Sequence, residues 1–397
     1  MQGRIQVYST VDARVQQIAN EALEHGLALY ERRRSRARGV VQGSVVVLRN
    51  VDASILAETG GRQFYKNRVS AYADFNRVTK SLRQPGSAMK PFVYLAAFRE
   101  GTFNLETIAP DEPIGVPNGR DQDVKWISNY DGQFTGMIPL RTALAGSRNT
   151  VAIWITKQIG VGRVIETARS LGIQTPLRSF ATTSLGASEV TLLELANAYR
   201  ALASGILTQP YVIRKIVRDS NEIVFVGRGE TSRPISMTKR SRSFRKACAA
   251  WCACPAARLM RWTPAVSQSP SWGKLELRTS SGTRSLWAPH TGWMVSPWRS
   301  ASVSTTTVRW EEKRPAAGVA LPVFREVMSR VYGEKVLGRA PRFPAEMERH
   351  IDMFLQNDAA NTHVLAVMAP PARQGSDFLI RRYIGADPVG PGVGRRQ

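Results

Sequence analysis

The segment QPGSAMKPFVYLAAF (84–98) constrains this 397-residue chain more than any other stretch. Pro85-Gly86 sets a turn, and the run from Phe92 to Phe98 behind it is apolar enough to make a buried helix. Lys90 enters that helix with it. A lysine is almost never fully buried without a partner or a task. Any fold this chain adopts therefore takes a cationic side chain into its core.

Ser87 and Lys90 form the pattern S-x-x-K. Three residues is nearly one helical turn, which puts the lysine amine beside the serine hydroxyl. A serine is a poor nucleophile at its free pKa and needs an adjacent base. A lysine can serve if desolvation or neighbouring cations depress its pKa, and the helix N-terminus adds free N–H groups near the reacting oxygen. A bare S-x-x-K occurs often by chance on solvated helix faces; the turn before it and the apolar helix after it set this one apart. Sixty residues on, Ser147-Arg148-Asn149 interrupts two apolar helical segments in RTALAGSRNTVAIWI. A short loop there can aim Ser147 at Lys90, passing protons, and Asn149 at a substrate amide. Alone, S-R-N is simply a polar turn.

Elsewhere the pattern predicts a helix over 9–34, capped by Ser9 or Thr10, with Val11, Val15, Ile18, Ala22 and Leu29 on one face. It predicts strands at 43–48 and 54–59, with Gly60-Gly61 ending the second. Further helices are expected at 139–158, 161–171 and 190–204. The order of helix, antiparallel strands and helical block suggests an α+β arrangement rather than a doubly wound sheet.

These boxes and their flanks resemble the transpeptidase domain of the class A penicillin-binding proteins, whose set is S-x-x-K, S-D-N and K-T-G. STVDARVQQIANEAL is similar to the family's entry segment, and GSVVVL…ILAETGGR to its first strand pair. SLGASEVTLLELANAYRALASGI (184–206) resembles its L-G-x-S-E-V-T-x-L-E-L-A-x-A-Y segment, and LPVFREVM its closing helix. The resemblance covers about 1–235 and 318–330. It implies a penicillin-binding/β-lactamase-like fold, an antiparallel sheet packed with helices, over 1–330; the tail 331–397, rich in Pro, Gly and Arg towards its end, is expected to be a partly disordered extension.

By the resemblance, Ser87 attacks the penultimate D-Ala carbonyl of a peptidoglycan stem peptide and releases the terminal D-Ala. The acyl group then passes to an amine of a neighbouring stem, and β-lactams acylate the same serine. Lys90 and Ser147 are the other catalytic residues and Asn149 binds substrate; no metal or organic cofactor is required. The family works in the periplasm, on the outer face of the cytoplasmic membrane. This chain has no run of ~18 apolar residues and its first residues lack a signal-peptide core. Membrane association would come only through N-terminal parts, including the family's glycosyltransferase domain, that lie outside this sequence. A fragment of a longer gene is the expectation.

The third box breaks the pattern. Where it is expected the chain reads Gly273-Lys274-Leu275-Glu276-Leu277: Lys274 fits the substrate-carboxylate ligand, but Leu275 and Glu276 do not fit their places. His290-Thr291-Gly292 is a weaker candidate without a strand around it. From Thr238 to Trp310 there is no Asp, Asn, Ile or Tyr, and Glu276 is the one acid. Twelve Lys and Arg, seven of nine Trp and all three Cys fall there.

A reading-frame shift accounts for this bias. Codons of the form GGN AAR CTN GAR CTN, read from each third base, can encode Lys-Thr-Gly-Thr. Residues 238–316 are therefore expected to be out of frame, with the third-box strand and its neighbours lost and the fold disrupted after about 237. The alternative to an active transpeptidase is then a catalytically impaired penicillin-binding remnant.

The net charge of +24 would ordinarily suggest a nucleic-acid partner. Nearly half of it comes from this one aperiodic stretch, so no nucleic acid is expected. The three cysteines, Cys248, Cys252 and Cys254, have no matching partner group for a zinc site.

Overall fold

The computed structural model describes residues 4–33, 41–62, 75–117, 124–218, 221–227, 233–235, 293–295, 302–307 and 320–338. Contacts divide the chain into a unit Met1–Met347 and a second, Glu348–Gln397, outside the described residues.

In chain order the elements begin with β1 (Ile5–Ser9), α1 (Ala13–Arg33), β2 (Gly43–Leu48) and β3 (Ile55–Thr59). A 3₁₀ turn at Gly86–Met89 runs into α2 (Lys90–Arg99). Four short strands follow: β4 (Ile108–Asp111), β5 (Ile114–Pro117), β6 (Val124–Ile127) and β7 (Gly136–Pro139). Next come α3 (Leu140–Ala145), α4 (Asn149–Ile159), α5 (Val161–Ser170), a 3₁₀ turn at Ala181–Leu185 and α6 (Leu192–Ser204). The remainder is β8 (Ile206–Leu207), β9 (Ile213–Arg218), β10 (Ile223–Val226), β11 (Arg233–Pro234), β12 (Trp293–Val295), β13 (Ser302–Thr307) and α7 (Ala320–Gly333).

The central sheet runs β12-β13-β2-β3, antiparallel throughout. Alternate residues of β2 face opposite sides, and both sides are covered. Val46 and Leu48 join the core built on α2, α4, α5 and α6. Val45 and Val47 join a second core with Val15, Ile18, Leu23 and Leu27 of α1 and Val323, Val327 and Val331 of α7. This is the expected α+β architecture, an antiparallel sheet between helical layers. Every residue of α2 from Lys90 to Phe98 is buried, as expected of a helix apolar on all sides.

The first helix starts later than its pattern predicts. Ser9 closes β1, and Thr10 Oγ1 donates to Ile55 O instead of capping. Asp12 caps α1, its carboxylate accepting from the N–H groups of Arg14 and Val15. Val11 and Leu29 are exposed; the buried stripe is Val15, Ile18, Ala19, Ala22, Leu23 and Leu27.

The stretch expected to lose its strands contributes two. Ser302–Thr307 pairs residue for residue with Gly43–Leu48, and Trp293–Val295 extends the sheet beyond it. The composition of SVSTTT explains this: valine and threonine are β-branched and suit a pleated strand whichever frame produced them. The expected boundary at 330 falls inside α7, which continues to Gly333.

Candidate active site

Gly86 carries φ +58 and opens the turn that presents Ser87. The turn closes as Ser87 O accepts the Lys90 N–H, which holds the two residues three positions apart at the start of α2. Both are buried, at 8% and 2% exposure. Two contacts fix the turn from behind. Tyr199 of α6 donates its hydroxyl proton to Ala88 O at 2.8 Å and packs edge-on against Phe92. Gly186, at φ +76, lies against the Gly86 backbone and accepts its N–H at 3.3 Å.

The loop between α3 and α4 arrives from the other side. Ser147 sits at φ 52, a left-handed conformation that costs a serine on the order of 1–3 kcal/mol and is found where surroundings impose it. That conformation turns both its carbonyl and its hydroxyl onto the Lys90 amine. Lys90 Nζ donates to Ser147 O, to Ser147 Oγ at 3.0 Å and to Asn149 Oδ1 at 2.7 Å. Lys90, Ser147 and Asn149 are thus gathered at one place by elements sixty residues apart, with Ser87 in the turn that leads into Lys90. Lys274 and His290-Thr291-Gly292 lie outside the described residues.

Burial, and secondarily the charge of Arg148, lower the Lys90 pKa to about 7. Near neutrality the amine is therefore divided between two forms. As an ammonium it has three protons for its three acceptors. As a neutral amine it donates two and keeps a lone pair, to which the Ser147 hydroxyl can turn and donate.

Sequence reasoning missed the layer behind these groups. Asp111, at the end of β4, is fully buried. Its carboxylate accepts from Asn129 Nδ2 at 2.6 Å, Thr150 Oγ1 at 2.5 Å, and Thr135 N and Oγ1 at 3.0 and 2.9 Å. Burial alone would raise its pKa; these hydrogen bonds and Arg148 outweigh that and hold it below the ordinary carboxylate range. Arg148, which the pattern leaves as a variable position, pairs with Asp131 at 3.0 Å and reaches Asp111 at 3.4 Å. The only signal in the sequence is the turn chemistry of Asn129-Tyr130-Asp131-Gly132.

Comparison with known proteins decides the family. The penicillin binding protein transpeptidase domain matches residues 43–242, just over half of the chain. The chain belongs to the penicillin-binding protein transpeptidase family.

Penicillin-binding protein 1A of Aquifex aeolicus is 38% identical over 188 residues, 46% of this chain and 24% of that protein. Its counterpart in Rickettsia conorii is 32% identical over 209 residues, 52% and 25% respectively. The chain spans about a quarter of the length of these relatives. Among solved structures, penicillin-binding protein 1A from Haemophilus influenzae has a TM-score of 0.64 at 17% identity, covering 86% of this chain and 68% of that one. PonA1 of Mycobacterium tuberculosis, in complex with penicillin V, has a TM-score of 0.60 at 18% identity, covering 86% and 88%. These solved structures share the penicillin-binding transpeptidase fold with this chain. Among the described residues no helix is long and apolar enough to cross a membrane.

Proposed function

We propose that this chain derives from a serine-type peptidoglycan D,D-transpeptidase and that Ser87 is its acyl-accepting nucleophile. The observation that carries the reading is the buried Lys90 amine, held on Ser147 Oγ and Asn149 Oδ1 one turn along the chain from the buried Ser87. In the neutral form Lys90 takes the Ser87 proton as Oγ attacks the carbonyl carbon of the penultimate D-Ala of a stem peptide. Ser147 passes the proton to the departing D-Ala amine, and Asn149 orients the donor peptide. An amine of a neighbouring stem then attacks the acyl-enzyme and frees Ser87. β-Lactams acylate the same oxygen.

In the sequence, Lys274 falls where the third box is expected, and its role would be to bind the substrate carboxylate. The reaction belongs to the cell-wall face of the cytoplasmic membrane. Residues 238–316 read as out of frame and the residues after α7 as an extension. The family match ends at residue 242, close to the proposed frame break. That coincidence favours a second reading, a catalytically impaired remnant that at most binds β-lactam or peptidoglycan without being acylated.

Labelling of the purified chain with a fluorescent penicillin, with Ser87→Ala as control, separates the two. Covalent label that disappears in the control supports the transpeptidase reading. A folded, unlabelled chain leaves the remnant.

A further inference from the structure

Asp111 does not act as a helix cap in the usual sense, since no N–H of α4 donates to it among the described residues. Its contacts converge instead on the loop that faces Lys90. Thr150 bonds it directly, Arg148 Nε approaches it at 3.4 Å, and Asn149 is reached through Asn129. Asn129 gives one Nδ2 proton to Asp111 and accepts the Asn149 N–H at 2.8 Å with its own Oδ1. A second Asn129 proton goes to Gln133 O at 2.9 Å, closing the 129–135 turn around the carboxylate. Three consecutive residues, 148 to 150, are therefore tied to one buried anion. The residue before them is the left-handed Ser147 that touches Lys90.

We propose that Asp111 is a positioning residue: it clamps the 148–150 segment and so keeps Ser147 and Asn149 seated on the Lys90 amine. The inference rests on the reading that Lys90 and Ser147 handle the acyl-transfer proton. The clamp itself can be measured whether or not the chain acylates. The charged and titratable groups facing it are Arg148, its partner Asp131, Lys90 and the buried Tyr94 phenol, whose proton Asp111 and burial both make harder to remove. If the clamp opens, water reaches Lys90 and the largest cause of its lowered pKa, burial, is relieved.

The experiment is a pH titration of the lysine Nζ resonances in the full chain labelled with ¹⁵N-lysine. Lys90 is assigned by the signal lost in Lys90→Met. Amide exchange at 147–150 and thermal unfolding are recorded on the same samples. The wild-type midpoint is expected near 7. Asp111→Asn should raise it by a unit or more, a tenfold change in protonation, and speed exchange at 147–150, with unfolding still cooperative. Asp131→Asn, which removes the outer charge beside Arg148 and keeps an amide oxygen for the Gln133 N–H, should leave both unchanged.

Should Asp111→Asn fail to fold, Thr150→Val tests the same clamp and Thr150→Ser should restore it. A folded Asp111→Asn or Thr150→Val with an unmoved Lys90 midpoint and unchanged exchange overturns the proposal, whatever happens to its melting temperature. Absence of penicillin labelling in the wild type counts against the acyl-transfer reading alone.

Discussion

A lysine with a pKa of about 7 in the folded chain and an ordinary value of 10.5 ties both reactivity and stability to pH. Penicillin acylation of Ser87 should rise with pH through about 7 and level off above it, as the neutral amine fills. Rates measured from pH 5.5 to 9 check this. Arg148→Ala removes the second cause of the shift and should move that midpoint upward. Between about 7 and 10.5 the unfolded chain binds more protons than the folded one, so stability should climb with pH across this window. Urea denaturation at pH 7 and pH 10 should show the climb in the wild type and lose it in Lys90→Met. Gly186 is a different kind of dependence. A Cβ there would lie 2.2–2.6 Å from three Gly86 backbone atoms, and φ is +76. Gly186→Ala should displace the turn that carries Ser87. A shift of ~1 Å in a reacting group costs on the order of 100-fold in rate, which a penicillin-labelling time course would resolve.

At the scale of elements, α6 begins with a reciprocal cap. Thr191 Oγ1 accepts the Glu194 N–H, and Glu194 accepts the Thr191 N–H. Thr191→Ala should cost about 1 kcal/mol. Glu194 also receives Gln174 N, Thr175 N and Thr175 Oγ1, so Glu194→Ala should cost roughly 2 kcal/mol or more. Denaturation midpoints of the two variants give the order. Elements of this kind were legible: α2, α4, α5, α6, β2 and β3 announce themselves by apolar runs or period, and the S-x-x-K and S-R-N boxes sit at their ends. The four strands β4 to β7 were not: IAPD, IGVP and GMIP carry proline or glycine in segments of four residues, and VKWI is as short, with one buried residue. Strands β1 and β10 escaped too, since exposed Ile5, Val7, Ile223 and Phe225 show no buried face to alternate against, and β9 buries only Val217. Asp111 and Asn129 lie on or beside those irregular hairpins, 39 and 21 residues from the threonine they share, so no local spacing betrays them. The site was thus visible where chemistry rides on a helix and hidden where it depends on pairing at a distance.

Across the whole molecule, the two ends of the described chain are packed together. α1 and α7 lie against one face of β2 and β3, and at Gly26 they pack tightly: a Cβ there would fall 2.2 Å from Val323 Cγ2. Gly26→Ala gains helix propensity of about 1 kcal/mol but overpacks the contact at a cost of ~1–3 kcal/mol. It should destabilise the chain, and Val323→Ala should restore most of the loss in the double variant, a coupling that thermal denaturation of the four forms would reveal. β13 enters the sheet between β2 and β12, and its partner strand lies some 260 residues earlier. A ribosome adds roughly 5–20 residues per second. On that scale β2 and α1 emerge on the order of 15–60 s before the segments that cover them. Until then the nascent chain shows a valine-rich strand and an apolar helix stripe to whatever else is in the compartment, and its fate turns on how long they stay uncovered.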